Sequence, residues 1–280
     1  MLEWNFRMRP TLKGLRRARE REMAANTQEC PTATMTQSAR KGPKRVLERI
    51  LHFLAYHFIL KRRTTRRVCV AGLQLTVGPT VFDPRFFLTS KFFAEFILSL
   101  DLSGKRVADV GTGSGILALA AAKAGAAEVL AIDINPYAVA ATAENARANQ
   151  VASRVTSLVG DLFSAIPLAP QFDVIITNPP FFEGQARDVA DRAWCAGVNF
   201  KDIATLFKQA RERLLPGGRV YVVLSSNCNL SVFAELIERA GFQAKRVRER
   251  SYITEDIIIY QLHPTGDFPK APLPVGELLL

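Results

Sequence analysis

A chain of 280 residues, 48% of them hydrophobic, is long enough to bury a full core, and one large α/β domain with an appendage is the expectation. Its longest apolar run, near 50–60, falls far short of the ~20 residues a membrane-spanning helix needs, and no apolar segment before a small-residue cleavage site marks a signal peptide. Four widely spaced cysteines (Cys30, Cys69, Cys195, Cys228) and three histidines give no disulfide framework and no metal-ligand spacing, so reduced thiols in a cytoplasmic, metal-free protein are expected.

The net charge of +11 is concentrated at one end. Residues 1–67 carry 17 Lys/Arg against 5 Glu, whereas the remainder carries 20 against 21 acids, so the body is nearly neutral. A basic arm of this kind can contact RNA, a ribosome or an anionic membrane face, or can simply be solvated. Residues 1–42 have no apolar period and read as a basic disordered leader, within which Met8, Met23 and Met35 offer alternative starts. Its glutamates (Glu3, Glu20, Glu22, Glu29) argue against a transit peptide.

Residues 43–100 read as an N-terminal extension. Val46, Leu47, Ile50, Leu51, Leu54 and Phe58 form a helical stripe over 43–60, a short hairpin is expected over 68–81, and an aromatic lead-in helix over 86–100. From Lys105 the pattern becomes regular, and the main domain is expected over 101–263. Strands are predicted near 106–110, 128–133, 154–159, 172–178 and 218–225, and helices near 114–125, 136–149, 201–214 and 229–241. Asn135 can cap the second of these helices, with Pro136 in its first turn, and Pro216-Gly217-Gly218 should stop the third. Two further extended runs, near 243–250 and 256–262, look like a closing antiparallel hairpin, and the Pro-rich tail over 264–280 reads as loose. This alternation predicts a doubly wound, mostly parallel seven-stranded α/β sheet with ligands at the carboxyl ends of its strands.

The chemistry collects at those ends. Val107–Val110 breaks into glycines at 111, 113 and 115, then resumes as an alanine-rich helix. A buried strand, a tight glycine turn and a helix N-terminus let a nucleotide-like ligand approach the backbone. The form Gly-x-Gly-x-Gly is not the dinucleotide fingerprint, since Ile116 stands three residues after Gly113. Asp109 precedes the turn, Asp133 ends the next strand and can accept from two ribose hydroxyls, and Asp161 follows the third strand, where it can accept from an adenine amino group. Asn178-Pro-Pro-Phe181 ends the fourth strand. The Asn178 side-chain oxygen and the Pro179 carbonyl can each accept one N–H of a planar amino group. Pro179 and Pro180 stiffen the turn, and Phe181 offers a face for stacking on a flat amide or base.

Asp109-Val-Gly-Thr-Gly-Ser-Gly115, Asp133, Asp161 and Asn178-Pro-Pro-Phe181, in that order, resemble the motifs of class I S-adenosylmethionine-dependent methyltransferases over about residues 80–263. The resemblance implies a Rossmann-like methyltransferase fold with S-adenosylmethionine as cofactor. In that class Asp109 with the glycine turn (Gly111, Thr112, Gly113, Gly115) would hold the methionine end. Asp133 with Ile134 would hold the ribose, Asp161 with Leu162 the adenine, and Asn178 would stand between donor and acceptor. Arg192-Ala-Trp-Cys-Ala-Gly197 is similar to the Ala-Trp-Ala-Gly-Gly segment of release-factor glutamine methyltransferases, and Arg213–Val220 and Ile257–Leu262 fit the same short branch. That branch implies a protein substrate, a glutamine of a translation release factor. Phe181 in place of tyrosine, Cys195 within the tryptophan segment, and the absence over Asp83–Thr89 of the acidic residues often found just before the glycine domain, where only Thr89 corresponds, depart from it. A nucleic-acid base N-methyltransferase, acting on adenine N6 or guanine N2, is therefore the alternative, and a non-catalytic RNA- or membrane-docking protein with a relict domain is the third reading.

Overall fold

The computed structural model describes residues 64–85, 88–253 and 255–266. The leader over 1–42, the helix over 43–60 and the tail after 266 lie outside the described residues. The chain becomes regular at β1 (Arg66–Val70) and β2 (Leu73–Val77), an antiparallel hairpin closed by Ala71-Gly72, both at positive φ. Leu73, Leu75 and Val77 face inward at strand period, while β2 lays its backbone edge against two asparagines of the main domain. α1 (Leu88–Leu98) follows and buries Phe92, Phe93, Phe96 and Ile97.

The main sheet has seven strands. β3 (Arg106–Val110) passes through α2 (Ile116–Lys123) to β4 (Glu128–Asp133), and through α3 (Pro136–Ala148) to β5 (Val155–Val159). The chain then returns to the other side of β3 as β6 (Phe172–Thr177), and α4 (Lys201–Arg213) leads to β7 (Leu214–Ser225). α5 (Leu230–Arg239) leads to the closing pair β8 (Phe242–Ser251) and β9 (Asp256–Pro264). The spatial order is β5-β4-β3-β6-β7-β9-β8, with the first five strands parallel and β9 antiparallel to both its neighbours, β7 and β8. The helices pack in two groups, α2 against both α1 and α3, and α4 against α5. The predicted doubly wound sheet and its C-terminal hairpin are present.

Local sequence explains the elements that carry the site. α2 is buried along Ile116–Ala122, so only a helix of small residues fits between its neighbours. α3 starts as predicted: the Asn135 side chain accepts from the Tyr137 N–H at 3.0 Å, with Pro136 in the first turn. β7 differs from expectation. It begins at Leu214, directly after α4, and its pairing with β6 jumps from Phe172↔Leu214 to Val174↔Arg219. Pro216-Gly217-Gly218 is thus an outward loop inside the strand and not the stop of the helix. Gly218 is confined there, since a Cβ would lie 2.8 Å from the Leu215 carbonyl oxygen.

Candidate active site

The order reverses between β3 and β6, and the crevice outside the carboxyl ends of those strands is where an open α/β sheet holds its ligand. A cavity of about 410 Å³ opens there. Thr177 donates from its hydroxyl to the Val110 carbonyl at 3.0 Å, which fixes the ends of β6 and β3 side by side.

The turn after β3 is anchored from below. Gly111 and Thr112 donate their N–H groups to the Ile132 carbonyl at 2.9 and 3.0 Å, and Gly115 donates to the Thr112 carbonyl at 2.8 Å. Gly111, Gly113 and Gly115 all have positive φ. Gly111 lines the cavity, and a Cβ there would meet no protein atom within 4 Å, so the missing side chain leaves room for a ligand. Gly115 has a different reason. Its Cβ would sit 2.8 Å from Thr142, so it lets α2 and α3 approach, and it does not line the cavity.

Asp109 also stands behind the wall. It is fully buried and absent from the cavity lining. One oxygen, Oδ2, accepts from the Thr112 hydroxyl at 2.6 Å and from the Ala118 N–H at 3.0 Å, tying strand, turn and helix together. The other, Oδ1, has no partner among the described residues. Burial pushes the carboxyl up to about 7, against the two hydrogen bonds and with a small repulsion from Asp133. The folded state therefore holds a proton that the unfolded chain, titrating near 3.9, releases earlier. This contribution to stability is complete below about pH 4 and is lost as pH rises through 7. Asp109→Asn should flatten the fall in unfolding free energy between pH 4 and 7.5, by up to roughly 4 kcal/mol at ~1.4 kcal/mol per pKa unit. Denaturant titrations of both proteins across that range check it, and equal slopes would contradict it.

Asp133 does face the cavity. Its Oδ2 accepts from the Gly113 N–H at 2.8 Å and its Oδ1 from the Asn135 N–H at 2.9 Å, so the carboxylate is aimed while keeping acceptor capacity. Desolvation raises its pKa, and these backbone donors with Ile134 N–H offset part of the rise. Ile134 and Leu162 line the cavity on either side, Leu162 at a φ of 53°. Asp161 lines it too, and its Oδ2 lies 3.4 Å from Arg192 Nη1. Arg192 also approaches Asp202 at 4.0 Å.

At the end of β6, beside the glycine turn, the cavity is lined by Asn178, Pro179, Pro180 and Phe181. Asn178 Nδ2 lies 3.4 Å from the hydroxyl oxygen of the buried Ser90 on α1, while no described residue donates to its Oδ1. The following loop folds back on the motif: Phe182 donates to the Trp194 carbonyl at 3.0 Å and Ala196 to the Phe182 carbonyl at 2.8 Å. Trp194 thereby stacks on Phe182, with centroids 5.7 Å apart, and Phe182 packs against Phe181 at 4.8 Å. Burial, with Asp191 nearby, pushes the Cys195 thiol up to about 11, which keeps it protonated near neutral pH.

Sequence reasoning assigned no site role to Thr80, Ser90, Arg192 or Glu255, all of which reach the cavity from distant segments. Arg192 carried the one available signal, its place beside Trp194. Among the lining residues four carboxylates (Asp133, Asp161, Asp202, Glu255) face a single guanidinium, so the cavity favours a cationic ligand. The glycine-walled space and this charge balance fit a ligand that carries a sulfonium beside a nucleoside. Among the described residues no cluster of three or more His, Cys, Asp or Glu could hold a metal, and no helix is long and apolar enough to cross a membrane.

Comparison with known proteins agrees with this geometry. Residues 84–251 match the family model described as methyltransferase small domain. A Methanocaldococcus jannaschii protein that bears the name of a protein N5-glutamine methyltransferase is 31% identical over 166 residues, covering 56% of this chain and 78% of that protein. The ribosomal protein L11 methyltransferase of Deinococcus radiodurans is 41% identical over 183 residues, 64% of this chain but only 60% of the relative. Among solved structures, the T. thermophilus 16S rRNA guanine-N2 methyltransferase in complex with S-adenosylmethionine and guanosine superposes with a TM-score of 0.50. At 24% identity, covering 72% of this chain and 50% of that one, it shows a shared fold.

Proposed function

The chain belongs to the methyltransferase small domain family, an enzyme family whose methyl donor is S-adenosylmethionine, and from that membership we propose that it methylates the side-chain amide nitrogen of a protein glutamine, in a translation factor. The observation that carries the reading is Asn178. Its amide nitrogen is turned to Ser90 and its oxygen is left without a described donor at the cavity wall, between stiff prolines and an aromatic shelf. The name borne by the M. jannaschii relative supports the same choice of acceptor.

An amide nitrogen is a poor nucleophile because its lone pair is delocalised into the neighbouring carbonyl. Asn178 Oδ1 and the Pro179 carbonyl accept the two N–H bonds, so the nitrogen is held with its face toward the donor and cannot rotate away. Phe181 packs against the amide plane. Asp133 accepts from the ribose hydroxyls and Asp161 from the base, with Ile134 and Leu162 flanking it. Gly111, Thr112 and Gly113 leave room at the methionine end, and Asp109 and Gly115 act through the shape of the turn. The cofactor supplies a methyl group already activated on a sulfonium. With that chemistry supplied, the residues here would have only to hold the nitrogen in line, and the proton lost from the methylated amide would leave to solvent. No strong base is required, and the protein's contribution is alignment.

A base of a nucleic acid also presents a planar N–H₂, and Phe181 suits it equally. Labelled-methyl transfer into total cell extract, followed by protease or nuclease, separates the two. Loss of the protected label to protease alone is the expected result. Loss to nuclease alone would replace glutamine by a base as the acceptor.

A further inference from the structure

The mechanism above uses neither Asp202, which approaches Arg192, nor Glu255. Glu255 lies on the turn between β8 and β9, far in sequence from every motif, and it lines the same cavity as Asn178–Phe181. We propose that Glu255 is a specificity residue of the acceptor side, which selects a positively charged peptide segment beside the target glutamine. The inference rests on the glutamine reading and deepens it.

The carboxylate is built in. Ser225, fully buried at the end of β7, donates its hydroxyl hydrogen to Glu255 Oε2, and the same hydroxyl oxygen accepts from the Asn227 N–H at 3.0 Å. With its donor and an acceptor site both engaged, the hydroxyl cannot rotate, and the carboxylate it holds has a fixed direction. The backbone is fixed as well. Tyr252 N–H donates to the Glu255 carbonyl at 2.8 Å, and Ser226 and Asp256 exchange two bonds, at 2.8 and 2.9 Å. Oε1 has no donor among the described residues.

The position is on the acceptor side. β6 and β7 are parallel with Thr177 opposite Val222, so Ser225, three residues further on, lies at the carboxyl end of the sheet on the strand next to the one that carries the Asn-Pro-Pro-Phe turn, and Glu255 lines the same cavity as that turn. The remaining acids of the cavity are occupied elsewhere: Asp133 is held by the glycine turn, and Asp161 and Asp202 share Arg192. Glu255, by contrast, makes no ion pair in the described structure. A fixed carboxylate there attracts a lysine, an arginine or main-chain N–H groups, and repels the phosphates of a nucleic acid. A purely structural reading, in which Glu255 only braces the hairpin, predicts something different. Glutamine at this position keeps an acceptor for Ser225 and removes the charge alone.

The test uses the full chain and two synthetic peptides of equal length with one central glutamine, flanked by lysines in one and by glutamates in the other. Wild type should prefer the lysine peptide about tenfold, through KM, one charge-assisted contact being worth about a factor of ten. Glu255→Gln should lose most of that preference by a rise in KM on the lysine peptide, with S-adenosylmethionine affinity by calorimetry and Tm retained. The same preference in both proteins, or an equal loss on both peptides, would overturn the inference and leave the glutamine reading standing. Transfer to neither peptide would overturn both.

Discussion

Asn178→Ala should lower kcat by about 100- to 1,000-fold while the dissociation constant for S-adenosylmethionine, measured by calorimetry, changes less than about threefold. The size follows from what the side chain does. One preorganised acceptor lost from a reacting group costs about 100- to 1,000-fold, and a misplacement of about 1 Å alone costs ~100-fold. The split between kcat and affinity follows from the contacts: Asn178 is bonded to Ser90 on α1, whereas Asp133, the proposed ribose acceptor, is held separately by the Gly113 and Asn135 N–H groups. Turnover within about fivefold of wild type would contradict the amide clamp. A parallel loss of cofactor affinity would move Asn178 to the donor side.

Asp133→Ala should have the opposite signature, weakening S-adenosylmethionine about 100-fold. Two hydrogen bonds from ribose hydroxyls to a carboxylate are worth roughly 1.5 kcal/mol each, and ~1.4 kcal/mol is a factor of ten. The substitution also frees the Gly113 and Asn135 N–H groups that the carboxylate now holds at 2.8 and 2.9 Å, so the turn itself loosens. Saturating donor should recover most of kcat, because the acceptor clamp is untouched. Unchanged affinity would remove Asp133 from the proposed ribose contact.

Much of this fold could be read in the sequence because its rules are local. The Asn135 cap, Pro136 in the first turn and the glycine break after Val110 each act within a few residues, and alternating apolar runs announced the parallel strands. The start of β7 was missed because Pro216-Gly217-Gly218 was read as a stop, whereas the strand accommodates it as an outward loop. Long-range contacts had no local signature. Asn145 on α3 and Asn149 at its C-cap, one helical turn apart, pair their side-chain amides with the N–H and carbonyl groups of Thr76 and Gln74. Like a surrogate strand, they dock the hairpin on the domain. Asn145 also donates to the Ser114 carbonyl, so the hairpin and the glycine turn share one residue.

The site divides in the same way. Position at strand ends picked out Asp133, Asp161 and the Asn-Pro-Pro-Phe turn, the family resemblance added Ile134 and Leu162, and the fold brings them to one cavity. Asp109 looked equivalent to Asp133 in sequence, but strand alternation turns it inward, where Thr112 and Ala118 take it. Ser90 and Glu255 could not be read at all. Each lies more than 70 residues from the motif it meets, and neither residue type is unusual in its neighbourhood.

The most direct measurement is a crystal structure of the full chain grown with S-adenosylhomocysteine. The account predicts the nucleoside across the carboxyl ends of β3, β4 and β5, with ribose hydroxyls on Asp133, the base beside Asp161, and the sulfur facing Asn178. A product bound elsewhere on the protein, or a ribose turned away from Asp133 with the sulfur remote from Asn178, would contradict it.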